Sequence, residues 1–71
     1  MKDKELRNLA KKIAKLEQQL ATCNNPDLIP EIEDSIVKLS GKVNNIVDMV
    51  KLDELIQENL QKIWLYKNFL L

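Results

Sequence analysis

The side chains able to do chemistry in this chain are carboxylates, lysines and one thiol. Glu31, Glu33 and Asp34 form an acidic cluster, and Asp48, Asp53, Glu54 and Glu58 follow further along. Paired carboxylates can bind a hard cation or move protons when they are held on one concave face. The first three fall where a helix should begin, so they are expected to complement the positive end of its dipole. The later four spread around a helix, with Glu54 and Glu58 four residues apart on one face, and are expected to be surface charge. Neither histidine nor an Asn/Asp/Gly loop accompanies them, so no metal site is expected.

Cys23 is the only cysteine and there is no histidine. That combination leaves no intramolecular disulfide, none of the usual zinc ligand sets, and no Cys/His or Ser/His/Asp nucleophile. Cys23 continues the spacing of the apolar residues before it and is expected to pack as a small apolar side chain. With Gly41 the only glycine, no phosphate-cradling loop can be built. The expectation is a protein that is not an enzyme and carries no cofactor.

Lys2, Lys4, Arg7, Lys11, Lys12 and Lys15 make the amino-terminal part basic. Residues 1–24 hold six basic and three acidic side chains, whereas residues 25–37 hold four acidic and no basic ones. A basic helix can grip phosphate or an anionic membrane surface. Here the chain as a whole has eleven basic and eleven acidic residues, only one of them arginine, and no aromatic lies in the basic part to stack on a base. Composition therefore argues against nucleic acid and membrane partners, and pairing with an acidic helix is the simpler expectation.

The elements that would carry these groups follow from two hydrophobic seams. Leu6, Leu9, Ile13, Leu16 and Leu20 alternate at three and four residues, which puts them on one stripe of a helix. The same alternation runs through Ile29, Ile32, Ile36, Leu39, Val43, Ile46 and Val50. Beyond Val50 the frame would place Asp53 and Gln57 in the seam, while a frame moved by one residue reads Met49, Leu52, Ile56, Asn59, Ile63, Tyr66 and Leu70. A first helix is expected over about residues 4–22, with Asp3 as its cap, ended by a turn over 23–29 in which Pro26 cannot donate a helical hydrogen bond. A second helix is expected from Ile29 or Pro30, with the proline in the first turn, to about residue 70. Gly41 costs about 1 kcal/mol inside a helix, but Leu39 and Val43 keep the spacing across it, which favours continuity. A break near 40–52, giving three helices, is the alternative.

The resulting architecture is an all-α antiparallel hairpin with a short first and a long second helix, coiled-coil-like, in one domain over residues 1–71. At 1.5 Å per residue the first helix is roughly 28 Å long and the second roughly 60 Å. Leu6, Leu9, Ile13, Leu16 and Leu20 would then seal against Ile32, Ile36, Leu39, Val43, Ile46 and Val50. Leu52, Leu55, Ile56, Leu60, Ile63, Trp64, Tyr66, Phe69 and Leu70 would lie beyond the reach of the first helix, and residues 49–71 would be an association segment. Asn59 in that segment could set register as a buried amide, as could Asn44 or Asn45.

The run Leu52-Asp53-Glu54-Leu55-Ile56 resembles the Leu-Asp-x-Leu-Ile core of small helical-hairpin phosphatases that act on sporulation phosphorelay proteins. The resemblance covers five residues and implies a catalytic role for Asp53. Before the leucine that family has Ser-Gln-Glu, where this chain has Met49-Val50-Lys51.

The function expected from these features is a non-enzymatic protein–protein interaction module. It would be a small coiled-coil subunit or adaptor that completes a homo- or hetero-oligomeric helical bundle through its carboxy-terminal helix. A chain of 71 residues has a core worth only about 3–5 kcal/mol, and with neither disulfide nor metal a partner is the remaining support. The alternatives are a helical regulator that docks on an enzyme or signalling protein, that phosphatase type included, and a basic-helix binder. The charged start and the lack of a long apolar run suggest a cytoplasmic or otherwise intracellular protein without signal peptide or membrane span.

Overall fold

The computed structural model describes the backbone of residues 1–69, and their side chains apart from residue 64 and residues 66–69. Over the described residues the chain is all-helical, with α1 (Asp3–Thr22), α2 (Ile29–Ser40) and α3 (Ile46–Phe69) and no strand. Helix α1 packs against both α2 and α3, which do not pack against each other.

Helix α1 is central because it has apolar residues on a broad arc rather than a narrow seam. Leu6, Leu9, Ala10, Ile13 and Ala14 are buried along it. Asp3 reaches Lys51 of α3, with 2.7 Å between Oδ1 and Nζ, which fixes the side of α1 that faces α3. Ala10 and Ala14 lie seven and eleven residues on from Asp3, on that same side. Their small side chains leave room for α3 to approach closely. Leu9, Leu16 and Leu20 turn towards the other flank.

Asp3 does not cap α1 as its position suggested. Lys2 occupies the cap position without a side-chain hydrogen bond, and the Asp3 carboxylate is taken by Arg7, 3.0 Å away, as well as by Lys51. The turn after α1 is built around Asn25. Its carbonyl accepts from the Cys23 thiol at 3.2 Å and from the Leu28 amide at 3.1 Å, and its side-chain oxygen accepts from the Asp27 amide.

The single long second helix does not form: the chain breaks over residues 41–45 and makes two helices. Gly41 is not the hinge in a conformational sense, since its φ of −66° and ψ of −11° are open to any residue. Past Gly41 the chain leaves helical geometry, and Val43 turns into the core, where it is buried. Asn45 then restarts the helix. The Asn45 side-chain oxygen accepts from the Asp48 amide at 2.8 Å, and its amide donates to the Asp48 carboxylate at 2.9 Å. The first of these bonds is a cap that satisfies the Asp48 amide, which no helical carbonyl reaches, and the second ties the two side chains together. Asn45→Ala is expected to cost about 0.5–2 kcal/mol, measured as a lowered urea midpoint with an unchanged slope.

The core consists of the five buried α1 residues with Val43, Leu52 and Ile56, and Ile36, Leu39, Leu55 and Leu60 pack against its edge. Helix α2 contributes no fully buried residue. Its apolar side chains Ile32, Ile36 and Leu39 are half-buried, so α2 leans on α1 without sealing it.

Candidate functional site

The first turns of α3 have two unlike sides. One side is docked: Leu52 and Ile56 point into the core four residues apart, and Asp48 and Lys51 hold the helix start against the start of α1. The other side is bare. Ile46, Val47, Met49 and Val50 are 77%, 76%, 55% and 54% exposed, and Leu65 is 60% exposed. Val47 and Leu65 are eighteen residues apart, five full turns, so they share one face of α3. Single exposed apolar side chains are ordinary on protein surfaces, but four within five consecutive positions form a patch.

This placement rearranges the residues expected to associate. Leu52 and Ile56, expected on the association surface, are buried in the core, and Leu55 and Leu60 pack against it. Ile63 is half-buried. In exchange, Ile46 and Val50, expected in the intramolecular seam, are exposed. The cause is the break at 41–45: a new helix sets its own rotation, and α3 turns the shifted frame inward. Met49 belongs to that frame by spacing yet is exposed. Leu6, Leu9, Ile13 and Val43 are buried, while Leu16, Leu20, Ile32, Ile36 and Leu39 are half-buried. The side chains of Trp64, Tyr66 and Phe69, and Leu70 altogether, lie outside the described residues.

The electrostatics of the docked side fix how firmly the site is presented. Asp48 accepts from the amino group of Met1 at 3.0 Å and from Asn45, and these hydrogen bonds hold its carboxyl below the ordinary value of 3.8. The Asp3 carboxyl is likewise lowered, first by its hydrogen bond to Lys51 and by that lysine's charge, then by Arg7. Each group favours the folded state when ionised. Their contribution is present above pH 3.8, the ordinary carboxylate value, and is lost as the pH falls through the lowered values. Acidification below pH 3.8 is expected to loosen the start of α3 from α1. The check is the thermal midpoint of the protein against that of Lys51→Gln, which should lose part of its acid sensitivity. The Asp3 carboxylate is exposed and that of Asp48 lies half-buried at the surface, so the effect is modest.

The other chemically capable residues stand apart. Glu31, Glu33, Asp34, Asp53, Glu54 and Glu58 are exposed, and among the described residues no three His, Cys, Asp or Glu side chains converge to hold a metal ion. Asn59 spends its amide on the Leu55 carbonyl at 2.7 Å within its own helix, so its hydrogen bond is local rather than register-setting. In the run that resembles the phosphatase motif, the two outer positions Leu52 and Ile56 are core residues and Asp53 is exposed. Burial of α3 therefore accounts for the apolar spacing of that run. Among the described residues no helix is long and apolar enough to cross a membrane. Comparison with known protein families, characterised proteins and solved structures finds no match to this chain.

Proposed function

We propose that this chain is a non-enzymatic protein–protein interaction module that assembles into a helical bundle through the outward face of α3. The supporting observation is the bare apolar turn Ile46, Val47, Met49 and Val50, in which Ile46, Val47 and Val50 point away from the stripe of Leu52 and Ile56 that is locked into the core. A helix fixed in this way presents its free side with little ordering left to lose on binding, which is the condition for a useful interface. The sequence-defined association segment, residues 49–71, thus moves forward to include Ile46 and Val47 and gives up Leu52 and Ile56 to the fold.

Association of like chains is the simplest form of this function, because the apolar turn of one copy can meet that of another across a two-fold axis. A chain with so small a core gains stability from each apolar side chain covered, at about 1.5–3 kcal/mol for full burial of a Val, Ile or Met. The test is an amide-resolved NMR dilution series. Shifts that move with concentration should gather at residues 46–50 and around Leu65 and spare the α1–α2 turn. Movement confined to that turn would overturn the assignment of the surface.

A further inference from the structure

The flank of α1 turned away from α3 carries a trough that association through α3 does not use. Lys12 lies nine residues beyond Asp3 and hence half a turn around the helix from the side that meets Lys51. The larger part of the trough, about 510 Å³, runs between α1 and α2, with Leu16 and Leu39 among its apolar lining and Lys12, Lys15 and Lys38 around it. A smaller part of about 270 Å³ shares Lys12, continues towards the start of α1 past Leu9, and adds Lys42 and Glu5. Leu16 and Leu39 are half-buried, because α2 leans on α1 without covering it.

We propose that this trough receives an acidic amphipathic helix from a partner protein. Three observations together select that occupant. The floor is leucine, so the ligand needs an apolar stripe. The rim has four lysines against one carboxylate, so the ligand needs negative charge on both flanks of the stripe. The two parts share Lys12, and their lining runs along α1 from Met1 to Gln19, about 27 Å at 1.5 Å per residue, the length of a helix of some 18 residues. The lining is an apolar strip between lysines, which suits a rod laid along it, and among the described residues it has no aromatic or arginine side chain of the kind that reads nucleic acid.

Lys38 already stands 3.0 Å from Asp34 on its own helix. That pair is exposed on both sides and holds Lys38 only weakly, so the ammonium can turn to an incoming carboxylate. Glu5 sits at the far end of the trough and gives it polarity. The bound helix should carry its Asp and Glu residues opposite Lys12, Lys15, Lys38 and Lys42, and a neutral or basic residue opposite Glu5. This surface is separate from α3, so the proposal stands whether or not α3 mediates association.

The experiment uses the full chain and fluorescently labelled 18-residue peptides with leucine at helical spacing. One has glutamate on both flanks, a second has lysine in place of glutamate, and a third scrambles the first. Anisotropy is read at low and at moderate salt. The glutamate peptide is expected to bind about tenfold or more tightly than the other two and to weaken with salt. Lys12 and Lys15 are exposed, so Lys12→Glu with Lys15→Glu should leave the helical content intact and weaken the peptide by about tenfold or more. Ile46→Glu on α3 should leave peptide binding unchanged, which separates this surface from the association face. Equal binding of the glutamate and lysine peptides, no binding at millimolar peptide, or indifference to the double substitution would overturn the proposal. So would binding to anionic phosphatidylglycerol vesicles without binding to the glutamate peptide.

Discussion

Ile13→Ala should leave most of the chain unfolded at room temperature. Ile13 is fully buried and, with Leu6, is one of the two largest side chains so enclosed. It sits on the helix that both α2 and α3 pack against, so the cavity opens in the shared core. Ile-to-Ala changes in cores cost about 2–5 kcal/mol, and a single core in a chain this short is worth about 3–5 kcal/mol. The substitution therefore removes an amount comparable to the whole. Val37→Ala is the control, since Val37 is exposed on α2 and surface changes stay within about 0.5 kcal/mol. Circular dichroism on heating should show a broad, weakened transition for Ile13→Ala and a wild-type transition for Val37→Ala. An unchanged transition in the Ile13 variant would mean that α1 is not the shared core.

The second large effect is on assembly. Ile46→Glu combined with Val50→Glu should abolish association while keeping the three helices. Both side chains are exposed, so the fold loses no packing, and glutamate in the first turns of α3 suits the helix dipole and has good helix propensity. Across a two-fold interface the pair is replaced on both copies. Losing even one fully buried valine or isoleucine costs about 1.5–3 kcal/mol, so the affinity should fall by about a hundredfold or more. Leu52→Ala and Ile56→Ala should behave in the opposite way. Those residues are core, so they should lower the unfolding midpoint of the monomer at any concentration. If they instead dissociated an intact fold, the inward rotation of α3 would be wrong.

How much of this was legible depends on which physical signal each residue carried. The all-helical class and the limits of α1 followed from the three-four spacing of Leu6 to Leu20 and from Pro26, because both act locally. The break over 41–45, which matches the three-helix alternative, ranked behind a continuous helix because Val43 satisfies the seam in either case. Its side chain is owed to the core, and a loop can deliver it as well as a helix can. The decisive signs were present but were given other roles. Asn45 with Asp48 three residues on is a helix start, and the frame change near Val50 is what a second helix with its own rotation produces.

The association surface was displaced for the same reason. With one long helix, Ile46 and Val50 face α1 and Leu52 and Ile56 project beyond it; with a break, the two pairs exchange roles. Ala10 and Ala14 were not singled out because small residues add little to a hydrophobic pattern, although they are among the most enclosed positions in the protein. The trough on the lysine side of α1 was visible only as a charge imbalance. Its leucine floor depends on how incompletely α2 covers α1, which is a tertiary property with no local signature.

The most direct test of the central claim is sedimentation equilibrium of the chain and of its Ile46→Glu/Val50→Glu variant over a concentration series reaching tens of micromolar. The wild-type protein should show a mass that rises with concentration above the 8.3 kDa of one chain, and the variant should stay at that mass with its helical content unchanged. A well-folded wild-type monomer throughout the series, or a variant that assembles as the wild type does, would contradict an interface on the outward face of α3.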